Sequence, residues 1–179
     1  MEPTLLPGDF LLFLESEGVP KCMRLLRRLS ARKAPTVGSV VVLRSPEDPS
    51  LLLVKRCIAA GGQSVQLSAE GLYVNGTHSQ YVRSQALPAH GNVDYGPTNI
   101  PSKHVFVLGD NFSVSEDSRH WGPVSEEDIV GRALIIFFSW DSTTLEKGTA
   151  NVDSQPGLRS PLVTLLSRCR WRRIGLTIR

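Results

Sequence analysis

The sequence lacks any apolar run long enough to cross a membrane. A spanning helix needs about 20 consecutive apolar residues, and the longest clean apolar run, residues 133–140, has eight. The start of the chain does not read as a secretory signal peptide, because Asp9 and Glu15 interrupt a short apolar stretch. Taken literally, the 179 residues predict a soluble or peripheral protein.

Cysteine is also scarce. The three cysteines, Cys22, Cys57 and Cys169, are too few and too scattered for a disulfide framework, and their odd number leaves at least one thiol free. The four histidines are dispersed, and no group of cysteines and histidines has the spacing of zinc ligands. We therefore expect no metal and no other cofactor.

Net charge is small, but it is unevenly distributed. The last 21 residues contain six arginines and no acidic residue, whereas the remaining 158 residues hold 14 basic and 17 acidic side chains. A second basic stretch with interleaved apolar residues spans residues 19–35. A mildly acidic body with basic segments favours contact with an anionic membrane surface over nucleic-acid binding. The alternative is that both segments are ordinary solvated chain.

Short apolar runs separated by turn residues predict a mostly β chain. Asn75-Gly76 is a strong hairpin signal. Residues 77–104 are polar and rich in Pro and Gly, which predicts a long excursion or a small subdomain within a β domain of residues 1–140. Residues 141–179 are predicted to be a linker and a short basic C-terminal tail. The predicted strands are residues 9–14, 39–43, 51–58, 64–67, 72–74, 105–108 and 130–140.

Lys55 is the most informative single residue, because it interrupts the apolar run at residues 51–58. On a strand it shares a face with Leu53 and Cys57. Burial on an apolar face disfavours the charged amine and lowers its pKa, and a neutral amine serves as a general base at physiological pH. The alternative is a lysine that snorkels from an edge strand or pairs with an acid.

A second pattern, Gly-Asp-Asn-x3-Ser-x-Asp-Ser-Arg-x2-Gly, occupies residues 109–122. Its small and polar residues predict a tight, hydrogen-bonded loop. Asp117 and Arg119 are two positions apart and are expected to form an ion pair within it. The hydroxyl of Ser115 is suited to hydrogen-bond an amine such as that of Lys55. Gly-Asp-Asn alone is a common turn, but the full pattern is long enough to be specific.

In this order, three segments resemble the motifs of the type I signal peptidases, membrane serine proteases that use a Ser/Lys pair. They are Met-Glu-Pro-Thr-Leu-Leu-Pro-Gly-Asp at residues 1–9, Leu-Val-Lys-Arg-Cys-Ile-Ala-Ala-Gly-Gly at 53–62 and the pattern at 109–122. The resemblance implies an antiparallel β-sheet or barrel-like domain that lies against the membrane. Gln63 and Ala60 stand where the family more often has Asp and Pro, and Ser39 aligns with a usual Asp.

The resemblance also implies roles for individual residues. Lys55 is expected to be the general base, with Ser115 orienting its amine. The residues expected to support the scaffold are Asp117, Arg119 and Arg56. The residues expected to line shallow pockets for the small side chains before the cleavage site are Met1, Leu5, Leu53 and Val54. The partners implied are the signal peptides of preproteins, bound as extended strands, and the lipid surface, with no nucleic acid.

The family's nucleophilic serine belongs directly before the methionine that is Met1 here. The leading hypothesis is therefore a serine endopeptidase truncated at its N-terminus, and the 179 residues alone are not expected to cleave a signal peptide. The alternative is a catalytically dead pseudopeptidase that binds extended peptides or a membrane partner. A self-cleaving repressor is a third possibility, but no DNA-binding helical domain is visible. The expected location is the outer face of a bacterial inner membrane, with the mitochondrial inner membrane as the alternative.

Overall fold

A computed structural model of the chain describes residues 1–15, 35–68, 70–81, 95–141 and 169–178. Strands dominate these ranges and pair antiparallel throughout, which confirms the prediction of a mostly β fold. Within them the strands form two open sheets and do not close into a barrel. The strands are β1 (Asp9–Glu15), β2 (Val40–Arg44), β3 (Leu52–Ala60), β4 (Ser64–Ser68), β5 (Gly71–Val74), β6 (Thr77–His78), β7 (Tyr95–Asn99), β8 (His104–Leu108), β9 (Val124–Ser125) and β10 (Ile129–Ser139).

The large sheet has six strands in the order β1-β10-β2-β3-β8-β9. Its central strands come from the β-branched and apolar runs of the sequence, and the whole of β2 except Arg44 is buried. One face packs a cluster that includes Val41, Leu43 and Val107. On the other side of the same sheet, Val40 and its neighbours form a separate cluster. Five antiparallel pairs with β2, from Val40–Arg56 to Arg44–Leu52, define the register of β3, the strand that carries Lys55.

The small sheet has four strands in the order β6-β5-β4-β7. Asn75 and Gly76 both have positive φ angles, 51° and 74°, as the predicted two-residue hairpin turn requires. The sheet begins at Ser64, ahead of the predicted excursion at residues 77–104, whose described part supplies β6, β7 and the first residue of β8. Residues 82–94 of that excursion lie outside the described ranges.

A C-terminal segment, residues 169–178, returns to the large sheet. It contains a 3₁₀ turn, Trp171–Arg173, and makes single antiparallel bridges from Cys169 to Trp140 and from Thr177 to Ile135. The predicted basic stretch and most of the predicted linker, at residues 16–34 and 142–168, lie outside the described ranges. In the part of the chain that the structure describes, no helix has the length and apolar character needed to span a bilayer.

Candidate active site

Lys55 projects from the middle of the large sheet. Its strand is paired with β2 on one side and β8 on the other, and Lys55 itself lies opposite Val41. The residues that follow it on the strand, Arg56 and Cys57, are buried, whereas Lys55 is only half-buried. The amine of Lys55 is therefore partly shielded from water but remains partly exposed at the sheet surface.

The amine of Lys55 meets the hydroxyl of Ser115. Lys55 Nζ donates to Ser115 Oγ at 2.8 Å, so the hydrogen bond expected from the sequence is present. Burial lowers the pKa of Lys55 below its ordinary value. The negative charges of Asp117 and Glu116 oppose this shift, and the positive charge of Arg119 reinforces it. The result is an amine that loses its proton more readily than a solvated lysine.

The loop at residues 109–122 is built around Asp117, whose side chain is fully buried. Its carboxylate accepts the backbone N–H of Gly109 at 2.9 Å and pairs with Arg119 Nε at 2.8 Å. It also caps the short helix α1 (Ser118–Trp121). The expected ion pair between Asp117 and Arg119 is therefore present, and it closes the loop on itself.

Two further contacts fix Ser115 within this loop. Arg119 Nη2 donates to the carbonyl oxygen of Ser115 at 3.0 Å and to that of Phe112 at 2.9 Å. At Gly109 a Cβ atom would overlap the hydroxyl of Ser115. Glycine at this position is thus what allows Ser115 to approach the strand of Lys55.

Arg56 makes a second buried ion pair on the opposite face of the strand. Its guanidinium binds Asp110 through both arms, Nε–Oδ1 at 2.9 Å and Nη2–Oδ2 at 2.8 Å, and Nη1 donates to the carbonyl of Gly38 at 2.7 Å. The hydroxyl of Thr4 also donates to the Asp110 carboxylate. The sequence reasoning missed Asp110 and Thr4, although both lie inside the motifs on which the resemblance rests.

The four predicted pocket residues occupy two places. Leu5 is buried, with Met1 and Val54 packed against the same apolar cluster. Leu53 instead lies with Lys55 and Trp121 in an open groove of about 330 Å³. The amino group of Met1 is also close to the site. Burial lowers its pKa, Asp110 raises it, and the positive charge of Lys55 lowers it further.

In the described ranges, no three His, Cys, Asp or Glu side chains are grouped so that they could hold a metal ion. Near Lys55 the structure brings together an amine, a hydroxyl and two braced ion pairs. This arrangement is suited to moving a proton to or from a hydroxyl at the sheet surface.

Comparison with known proteins identifies the family to which the chain belongs. The family model described as signal peptidase, peptidase S26 matches residues 1–140. The chain therefore belongs to the signal peptidase S26 family.

Two curated relatives agree with this assignment. A probable signal peptidase I-2 from Synechocystis sp. is 33% identical over 145 residues, which are 77% of this chain and 59% of the relative. A signal peptidase I from Pseudomonas fluorescens is 27% identical over 184 residues, 81% of this chain and 64% of the relative. The chain thus spans about three fifths of the length of these curated relatives. A crystal structure of signal peptidase I from Enterococcus faecalis is similar to 57% of this chain and 98% of its own, with 27% identity and a TM-score of 0.48.

Proposed function

We propose that this chain is the catalytic domain of a serine endopeptidase that removes N-terminal signal peptides from exported proteins. The observation that carries the proposal is the 2.8 Å hydrogen bond between Lys55 Nζ and Ser115 Oγ, formed by a lysine whose burial lowers its pKa. A lysine whose pKa is lowered accepts a proton from a serine hydroxyl more readily than a solvated lysine does, because more of it is in the neutral form. The relatives named signal peptidase I support the choice of substrate.

In the proposed reaction the nucleophile is a serine directly before Met1, the position to which the family motif points. Neutral Lys55 takes the hydroxyl proton as the serine oxygen attacks the carbonyl carbon at the cleavage site. The C–N bond then breaks, and Lys55 returns the proton to the leaving amine. Water, deprotonated by Lys55 in the same way, then attacks the acyl-enzyme ester. The C–O bond to the serine breaks, and Lys55 returns the proton to the serine oxygen. Met1 packs against the same apolar cluster as Val54, the residue next to Lys55, and this supports the placement of the nucleophile.

The substrate is proposed to bind as an extended strand. The apolar cluster that contains Met1, Leu5 and Val54 would accommodate small side chains before the cleavage site, and the groove at Leu53 would take a neighbouring one. Backbone hydrogen bonds would supply affinity and these shallow surfaces selectivity.

The test is cleavage of a preprotein by two forms of the protein: residues 1–179, and the same chain extended so that a serine precedes Met1. We expect cleavage by the extended form and none when that serine is replaced by alanine. Lys55→Arg keeps the positive charge but cannot become neutral near pH 7, so it should reduce cleavage by at least about 10³-fold. The matched control is Lys103→Arg, the same replacement at an exposed lysine.

Two results would count against the proposal. Full cleavage by Lys55→Arg would exclude Lys55 as the general base. Peptide binding without cleavage in every form would favour the binding-only pseudopeptidase.

We further propose that the protein works at a membrane surface, on the outer face of a bacterial inner membrane. Phe10 and Leu12 on β1 are each 51% exposed, and Phe137 on β10 is 52% exposed. The rings of Phe10 and Phe137 lie 6.1 Å apart, so these three side chains form one apolar edge of the large sheet. An apolar edge of this kind is suited to the interface of lipid headgroups and acyl chains.

Flotation with phosphatidylglycerol vesicles tests this location. Leu12→Ser should weaken binding, because it removes apolar surface from the edge. Leu52→Ser is the matched control, since Leu52 is 55% exposed but lies three strands away on β3. Equal loss of flotation in both variants would contradict the assignment of this edge.

A further inference from the structure

The two ends of the described chain meet beside the candidate site. Arg173, in the 3₁₀ turn of the C-terminal segment, pairs through Nη2 with Asp9 Oδ2 at 2.6 Å. The same Nη2 donates to the backbone carbonyl of Thr4 at 2.9 Å. One guanidinium therefore binds two points of the N-terminal segment, residues 1–9.

The ion pair between Asp9 and Arg173 is largely buried and is supported by further hydrogen bonds. The side chain of Asp9 is 2% exposed and that of Arg173 is 18% exposed. Asp9 also accepts hydrogen bonds from Ser139 Oγ at 2.6 Å and from the backbone of Leu6 at 2.8 Å. Burial alone would raise the pKa of Asp9, but the hydrogen bonds from Arg173, Leu6 and Ser139 outweigh it, and the pKa falls below its ordinary value. Asp9 is therefore a charged, fixed anchor for Arg173.

From Thr4 the contacts continue to the catalytic strand. The Thr4 hydroxyl donates to the Asp110 carboxylate, and Asp110 forms the bidentate pair with Arg56. Arg56 is the neighbour of Lys55 on β3. A continuous series of polar contacts thus joins Arg173 to the strand of the general base.

Other contacts also hold the N-terminal segment. Before β1 it makes two local turn hydrogen bonds, Leu5 N to Met1 O and Asp9 N to Leu6 O, each at 3.0 Å, and Trp140 N donates to Gly8 O at 2.8 Å. From the C-terminal segment, Arg170 donates to the carbonyl of Pro7. Its one buried apolar side chain, Leu5, packs in a cluster that includes Ile178 of the C-terminal segment. Ordering nine residues costs conformational entropy that two local turns cannot offset. The C-terminal segment therefore contributes both polar and apolar contacts that hold residues 1–9.

We propose that Arg173 is a positioning residue for the proposed peptidase, which holds the N-terminal segment so that the residue before Met1 faces Lys55. This inference rests on the proposed function. It makes the C-terminal segment part of the active-site architecture, although Arg173 touches neither Lys55 nor the expected position of the substrate. A displacement of about 1 Å in a reacting group costs roughly 10²-fold in rate, so a distant clamp can control turnover.

Amide hydrogen exchange tests the clamp without any need for catalysis. In Arg173→Gln, exchange at the Leu5 and Asp9 amides should rise by about tenfold or more, because local opening of the segment becomes easier. The Val65 and Leu72 amides of the small sheet should keep their protection. Arg172→Gln is the matched control, since Arg172 is the exposed neighbour of the half-buried Arg173.

Arg173→Lys refines the measurement. A lysine carries one compact charge and cannot reproduce the fork of the guanidinium, so exchange at Leu5 and Asp9 should lie between that of wild type and Arg173→Gln. Unchanged exchange at Leu5 and Asp9 in Arg173→Gln would overturn the proposal. An equal rise at Val65 and Leu72 would also overturn it, because Arg173 would then serve general stability.

The kinetic arm uses the form extended by a serine. Arg173→Gln should lower kcat by roughly 10²-fold with little change in KM, and Arg172→Gln should leave both constants unchanged. A loss confined to KM would contradict a positioning role. If no form cleaves any preprotein, the proposed function fails, and hydrogen exchange alone decides whether Arg173 clamps the segment.

Discussion

The two sheets differ in the buried polar side chains that they contain. All six buried polar or charged side chains of the described ranges lie in the large sheet or its adjoining loops: Ser39, Ser45, Arg56, Asp117, Ser118 and Ser139. The strands of the small sheet bury Val65, Leu67 and Leu72, and their core is shared with Ile58 and Phe106 of the large sheet. The large sheet thus carries the candidate chemistry, and the small sheet supports it from one side.

The difference shows what a functional site requires of a fold. Burying a charge without partners is costly, so Asp117 and Arg56 are each surrounded by hydrogen-bonding groups. Within the described ranges Lys55 has instead two neutral partners, the Ser115 hydroxyl at 2.8 Å and the Trp121 ring, whose centroid lies 6.0 Å from Nζ. Two hydrogen-bonded ion pairs, Asp117–Arg119 and Arg56–Asp110, therefore lie near the Lys55 amine. The charged form of this amine is poorly stabilised, and this lowers its pKa.

The largest predicted effect is in the loop of the large sheet. Asp117→Asn removes the charge that binds Arg119 and leaves that arginine poorly paired, which should lower the free energy of unfolding by about 3–5 kcal/mol. Cleavage should be lost with it, because Ser115 is held through Arg119. Urea denaturation and a preprotein assay measure both effects. Asp128→Asn, outside the site, is the control, and equal destabilisation by both variants would contradict this account.

A deletion in the small sheet should separate stability from chemistry. Leu72→Ala creates a cavity around a fully buried side chain and should cost about 2–5 kcal/mol of unfolding free energy. At temperatures where the variant stays folded, kcat and the pKa of Lys55 should not change, since no small-sheet residue contacts the amine in the described structure. A changed Lys55 pKa in this variant would show that the two sheets are not separable in this way.

Removing the hydroxyl that holds the amine should have a moderate effect. Ser115→Ala deletes the one hydrogen bond that Lys55 Nζ makes within the described ranges, and we expect roughly a tenfold loss of kcat from a hydrogen bond of this kind. Stability should be nearly unchanged. Ser113→Ala, which removes an exposed hydroxyl of the same loop, is the control. A similar loss in both variants would point to the loop as a whole.

The smallest effect is expected from an exposed charge in the loop. Glu116 raises the pKa of Lys55 against the effect of burial, so Glu116→Gln should lower that pKa further. Because the neutral amine is the active form, the acid limb of the pH–rate profile should move to lower pH. Glu127→Gln, an exposed carboxylate elsewhere, should leave the profile in place. A shift to higher pH would contradict the assigned sign.

Much of this architecture follows from local sequence patterns. Short apolar runs separated by turn residues predict the strands. The position of Lys55 within an apolar run predicts that its amine is partly buried. The pair of Asp9 and Arg173 is separated by 164 positions, and that of Thr4 and Asp110 by 106. Such pairings depend on how the strands assemble, so the pattern around either residue does not predict them. The helix α1 and strand β9 are too short, at four and two residues, to show a period.

The central claim is that Lys55 is a poorly solvated amine, and an NMR titration of its side-chain carbon and nitrogen tests it most directly. We predict a pKa below the ordinary value of 10.5. Because the unfolded chain then binds a proton that the folded chain does not, the free energy of unfolding should rise with pH between the folded pKa and 10.5. Lys55→Met should lack this rise. A pKa at or above 10.5 in the folded protein would contradict the account.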